Sequence, residues 1–151
     1  MQAFLISFGY VGLFLSAFLS ATILPGGSEL VMGGLVVSNF NLYFCLAVAT
    51  FGNSLGGVLN YYFGRVTDEE WAKKHMKISE ERLIKVKKFV EEKGTISAFF
   101  SFTPLVGDII PYILGFFKAN IYKVSFYIFL GKLLRYALVL IGLKYGIAWL
   151  S

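Results

Sequence analysis

Four charged side chains stand in stretches of sequence that otherwise carry almost no charge: Glu29, Asp108, Lys132 and Arg135. Glu29 follows Gly26-Gly27-Ser28 and precedes an apolar run, and Asp108 follows Gly107 and precedes Ile109-Ile110-Pro111. Lys132 and Arg135 lie three apart in GKLLRYALVL, a spacing that puts both on one face of a helix. A carboxylate at membrane depth costs about 2.5–3.5 kcal/mol even on lenient insertion scales, so an acid there points to function: a carried proton or a paired cation. The two acids can equally sit at helix starts, held by free backbone N–H groups and the positive helix end, and the two roles are compatible. Lys132 and Arg135 have the chemistry to neutralise those acids or to meet a lipid phosphate. Asn53 and Asn60 are seven apart on one helix face and add uncharged hydrogen-bonding groups at similar depth. Asn53 is taken with Lys132 and Arg135 as a charge-compensating or headgroup-binding candidate.

Other chemistries find no footing. No Ser/His or His/His/acid arrangement points to an enzyme. The single histidine, His75, has no acids at metal-ligand spacing and reads as a surface residue, so neither a metal nor a cofactor is expected. Cys45, the single cysteine, lies in an apolar stretch and reads as a small buried side chain.

The elements that must position these groups are apolar segments at about 3–24, 30–38, 42–64, 95–106, 109–117 and 121–143. A full membrane span needs roughly 20 apolar residues, which 42–64 and 121–143 supply. The segment 3–24 fits either a span or a hairpin arm, and the other three are too short to cross. The interruptions LPGGSE (24–29) and TPLVGDIIP (103–111) place Pro25, Gly26, Gly27, Pro104, Gly107 and Pro111 at membrane depth. Irregular backbone is tolerated there only inside protein or along a wet cavity, so each interruption is predicted to be the tip of a re-entrant hairpin. Hydrophobic residues make up 57% of the 151 and charged residues only 15%, against roughly 25% in soluble domains. The apolar start lacks a Lys/Arg-rich n-region and is read as part of the membrane domain.

Of 14 Lys/Arg, nine fall in residues 65–93 together with seven of the nine acids. The interleaving excludes a nucleic-acid surface. Within this region 79–93 reads as an amphipathic helix, with Leu83, Val86 and Val90 on one stripe, lying along the membrane surface.

The sharpest internal signal is a repeat with an offset of 79: Pro25 maps to Pro104, Glu29 to Asp108, Tyr43 to Tyr122, Gly52 to Gly131, Leu55 to Leu134 and Leu59 to Leu138. Asn53 and Lys132 follow the paired glycines. One re-entrant hairpin plus one span makes a single net crossing, so the second copy must be inverted, as in many transporters. The expected fold is an all-α membrane domain over 1–151, with repeat 1 at about 3–65, a polar loop and amphipathic helix at 66–93, and repeat 2 at about 94–144. Placing 65–93 and 118–123 inside satisfies the positive-inside rule and puts both termini outside.

FLSATILPGGSELVMGGLV (18–36), TFGNSLGGVLNYYFGR (50–65), SFTPLVGDIIPYILGF (101–116) and LGKLLRYALV (130–139) together resemble the DedA family, the SNARE-associated or VTT-domain superfamily, in its short YqaA-type branch. The resemblance implies residence in a bacterial-type inner membrane, two inward-pointing hairpins, and translocation of phospholipid or polyprenyl phosphate, often proton-dependent. It matches Glu29 to the family's acid after the first Pro-Gly turn. In the second hairpin's F-x-R-[FY]-x-P-x-x-R pattern, Phe99, Phe102 and Pro104 fit, while Ser101 and Gly107 replace both arginines. A lipid transporter or scramblase is the leading expectation, with membrane lipids as partners and a homo-oligomer left open. An ion or small-solute transporter and a non-transporting membrane organiser are the alternatives.

Overall fold

A computed structural model describes residues 2–22, 27–75, 78–103 and 106–150, with side chains resolved between 6 and 146 of these. The described residues are mostly helical, without a strand: α1 (Gln2–Thr22), α2 (Gly27–Val37), α3 (Leu42–Val66), α4 (Glu69–His75), α5 (Glu80–Lys93), a 3₁₀ helix (Gly94–Phe102), α6 (Ile109–Phe116) and α7 (Ile121–Leu150). Asn41 caps α3 by accepting from Phe44 N at 3.0 Å, and Asn120 does the same for α7, accepting from Tyr122 N and Lys123 N. α1 continues over 21 residues, about 31 Å at 1.5 Å per residue. The segment 95–106, expected as an α-helical arm, instead forms nine residues of 3₁₀ helix, long for that conformation.

α3 and α7 are long and apolar enough to cross a membrane. Their surfaces are inverted relative to a soluble protein. Phe44, Phe51, Leu55 and Tyr62 form an exposed apolar stripe along α3, while Asn53 and Asn60 on the same helix are buried. Likewise α7 exposes Tyr122, Phe126, Phe129, Leu138, Ile141 and Tyr145 and buries Lys132 completely. An apolar outside and a polar inside require an apolar solvent.

α1 runs parallel to α3. Asn41 N donates to Tyr10 Oη at one end, Asn53 Nδ2 to Ala17 O further along, and Asn60 Nδ2 to Ala21 O near the other. α2 then returns toward the start of α3. α7 runs antiparallel to α3, because Tyr61 Oη donates to Ala119 O while the Gly57 position faces Ile128. The 3₁₀ helix packs along α7, and α6 lies against the Arg65 end of α3. There the backbones touch: a Cβ at Gly64 would collide with Tyr112 O, and one at Gly115 with Tyr61 O. Two apolar cores result. One joins Leu13, Ala17, Met32, Cys45, Ala49 and Tyr136; the other joins α6 to Tyr61, Val124, Ile128 and α5.

The amphipathic helix forms as α5, capped by Ser79, whose Oγ accepts from Arg82 N, and closed by Gly94 at φ 61°. Its apolar stripe departs from the expectation of a helix facing lipid. Leu83, Val86 and Val90 are buried in the same core as Ile109, Ile110, Ile113 and Leu114 of α6. Burying that stripe against protein removes the apolar face that would otherwise insert into the bilayer. His75 lies on the surface, stacked on Trp71 with ring centroids 4.7 Å apart.

The backbone contact between α3 and α6 generates a stability contrast. Gly64→Leu has no rotamer that avoids Tyr112 O and is expected to cost more than about 3 kcal/mol. Gly34→Ala, whose added Cβ meets nothing within 4 Å, should be neutral or stabilising by about 0.5–1 kcal/mol. Thermal unfolding of the detergent-solubilised protein, followed by the monodisperse fraction, checks both.

Candidate functional site: four charges on one face of the last helix

Lys132 lies 11 residues from the start of α7, about 17 Å along it and close to the middle of a ~30 Å hydrocarbon layer. Its Nζ donates to Asp108 Oδ1 at 2.5 Å. One turn on, Arg135 Nε donates to Glu29 Oε1 at 2.8 Å and Nη2 reaches the same oxygen. The two acids come from different segments, one in the first turn of α2 and one just before α6, and meet cations three residues apart on one helix. The Lys132 side chain is 0% exposed, whereas Asp108 keeps 16% and Glu29 29%. Arg135 keeps 13%, so Lys132 is the enclosed member of the site and Glu29 the most accessible.

Local backbone geometry explains how the acids arrive. Glu29 is in the first turn of α2, where the helix N-terminus favours its charge. Asp108 immediately precedes α6 with helical φ and ψ, and its side chain makes no capping hydrogen bond. Capping therefore does not account for Asp108; its carboxylate is directed to Lys132.

Asn53 does not touch either ion pair. Its Nδ2 donates to Ala17 O at 2.7 Å and Ser20 Oγ at 2.9 Å. Ser20 and Ser28 share a hydrogen bond of 3.0 Å, and Ser28 shares one of 2.7 Å with Tyr136 Oη. This chain of hydroxyls links α3, α1, α2 and α7 beside the Glu29–Arg135 pair. Asn60 Nδ2 reaches Asp108 O at 3.3 Å, tying the second hairpin tip to α3. Buried Thr50 Oγ1, Asn53 Oδ1, Ser54 Oγ and Ser101 Oγ find no protein partner among the described residues. Ser20, Ser28 and Tyr136 escaped the sequence reading; the signal was adjacency, since Ser28 precedes Glu29 and Tyr136 follows Arg135.

The turn residues separate on inspection. Pro25, Gly26 and Pro104 lie outside the described residues. Gly107 is in the turn before α6, where any Cβ would strike Ser101 O and Thr103 O. Gly27 and Pro111 are not turn residues: Gly27 is the first residue of α2, and Pro111 sits in the first turn of α6, where its missing N–H costs no helical bond.

A double-mutant cycle tests the buried pair. Lys132→Met leaves Asp108 without its cation and should destabilise by about 3–5 kcal/mol; adding Asp108→Asn should recover most of that loss. The corresponding changes at Arg135 and Glu29 should couple more weakly, since Glu29 is partly exposed. Unfolding midpoints of the four proteins in each cycle supply the measurement.

The family model described as the VTT domain matches residues 24–144, which include all four site charges and both interruptions. The chain is 35% identical over 142 residues to the inner membrane protein YqaA of Escherichia coli, covering 91% of this chain and 92% of that one. It is also 35% identical over 136 residues to a protein of Haemophilus influenzae, covering 85% and 83%. A protein of Methanocaldococcus jannaschii is 23% identical over 135 residues, covering 89% and 83%. No solved structure matches the chain. With its apolar helices and buried charges, the chain belongs to the VTT-domain (DedA) family of membrane proteins.

Proposed function

We propose that this protein moves a phospholipid or lipid phosphate between the leaflets of a bacterial-type inner membrane, with the carboxylates of Glu29 and Asp108 as exchangeable proton carriers. One observation carries the reading: the starts of α2 and α6 each bring an acid to a cation in the middle part of α7, and both acids keep an accessible edge. Protonating either acid cancels its pairing and frees Lys132 or Arg135 for a phosphate.

The helix arrangement supports an inverted repeat. Under the 79-residue offset α2 corresponds to α6 and α3 to α7, while α1 falls across α5 and the 3₁₀ helix, its last third on the latter. Gly52 faces Phe14 O in the first unit, and Gly131 faces Phe99 O in the second. Asn53 and Lys132 each lie 11 residues into their helices, where the antiparallel pair crosses. We read the two interruptions as re-entrant tips and α1 and the 3₁₀ helix as the entering arms, an architecture suited to alternating exposure of a midplane site.

Positive-inside bias orients the molecule with α4 and α5 in the cytoplasm and both termini outside. Cysteine substitutions at the exposed positions Lys74 and Lys88 should be labelled only when the cytoplasmic face is accessible. Labelling of either in intact cells by a membrane-impermeant maleimide reverses the orientation. Buried Cys45 leaves the background low.

Function is tested by reconstitution in liposomes with labelled phospholipid. Glu29→Gln and Asp108→Asn should each reduce transfer at least about tenfold between pH 6 and 8, measured on the monodisperse fraction of each variant. Arg135→Lys should keep partial activity, because one ammonium replaces two guanidinium donors. The pairing of all four charges favours one second reading, a membrane organiser without transport. Wild-type transfer rates in both amide variants at every pH decide for it.

A further inference from the structure

At the first turn of α7, residues Thr95, Ile96, Tyr122, Lys123, Phe126 and Tyr127 line an open groove of about 490 Å³. At the first turn of α3, Tyr10, Asn41, Tyr43, Phe44 and Ala47 line another of about 550 Å³. The two are equivalent under the 79-residue offset, which carries Tyr43, Phe44 and Ala47 onto Tyr122, Lys123 and Phe126. Because α3 and α7 are antiparallel, the grooves lie at opposite ends of the helix pair. Tyr43 and Tyr122 are 82% and 83% exposed, as expected of rings at the two membrane–water interfaces.

Of these three positions, Tyr43 keeps its ring as Tyr122, Ala47 becomes the larger Phe126, and Phe44 becomes Lys123, the one change of charge. Lys123 is exposed and enters no ion pair among the described residues. Asn120 fixes its backbone by accepting from Lys123 N at 3.2 Å, which also takes up that helix-start donor. Toward the membrane interior the same groove presents Ile96 and Phe126, 54% and 60% exposed. A free cation and tyrosines at one edge and bare apolar side chains at the other match a ligand with an anionic head and a hydrocarbon tail. A water-borne anion would leave the apolar part uncovered.

We propose that the groove at the start of α7 is a binding site for an anionic phospholipid of the leaflet on the Arg65 side, its phosphate on Lys123 and its chain along Ile96 and Phe126. The site is separate from the buried ion pairs and does not depend on transport, so it stands or falls independently of the proposed function.

Native mass spectrometry of the full chain, released from micelles holding equal amounts of phosphatidylglycerol and phosphatidylcholine, tests it. The wild type should retain phosphatidylglycerol about fivefold over phosphatidylcholine, the preference expected of one lysine at an anionic surface. Lys123→Gln should bring the ratio near one, Lys123→Arg should restore it, and Lys144→Gln, exposed near the far end of α7, should leave it unchanged. Equal retention of both lipids by the wild type, an unaltered ratio in Lys123→Gln, or an equal loss in Lys144→Gln overturns the proposal. Elution as a monodisperse peak shows that each variant is folded, and Lys123, being exposed, has no packing to lose.

Discussion

A lysine buried to zero exposure halfway along a helix that otherwise shows phenylalanine, leucine and tyrosine to its surroundings sets the terms for this molecule. An ammonium in such a place is stable only with a carboxylate delivered to it and the remaining polar atoms satisfied. Asp108 meets that requirement at 2.5 Å from the segment before α6. One turn along α7, Glu29 in the first turn of α2 stands opposite Arg135. Both acid-bearing segments are thus tied to one helix. Close backbone approaches accompany them: Gly64 of α3 lies against Tyr112 O of α6, and Gly131 of α7 against Phe99 O.

Hydrogen bonds extend that constraint to the rest of the bundle. Asn53 and Asn60 bind carbonyls of α1, and Asn60 also reaches the carbonyl of Asp108, so one face of α3 holds both hairpins. In an apolar solvent this matters more than apolar burial, since lipid tails compete equally well for Leu and Phe. The exposed stripe of α3 and the buried Thr50, Asn53, Ser54 and Asn60 on its other side express the same economy of polar groups.

Periodicity and charge made much of this legible. Apolar runs placed α3 and α7, the 79-residue offset paired the two acids, and the three-residue spacing of Lys132 and Arg135 put them on one face. What stayed hidden depends on partners far away in sequence. Leu83, Val86 and Val90 form a stripe that reads equally as lipid-facing or protein-facing, and only the location of α6 assigns it to protein. Asn53 is expected near the charges as an uncharged hydrogen-bonding group at their depth, yet its Nδ2 is taken up by Ala17 O and Ser20 Oγ. Pro111 looked like a turn residue because proline usually marks one; the first turn of a helix tolerates it as well. The nine-residue 3₁₀ helix has no sequence marker among its apolar residues.

The second hairpin also explains where the family's positive charge has gone. Gly107 occupies one expected arginine position, and its tip conformation admits no Cβ at all, since Ser101 O and Thr103 O fill that space. Ser101 occupies the other, buried beside Gly131 where a guanidinium would not fit. Positions 101 and 107 thus hold small side chains, and the charge nearest them is negative, from Asp108. Positive charge comes from α7 instead, by Lys132 and Arg135. The two cations also differ in kind: Arg135 meets Glu29 through Nε and Nη2 together, while Lys132 meets Asp108 through a single ammonium.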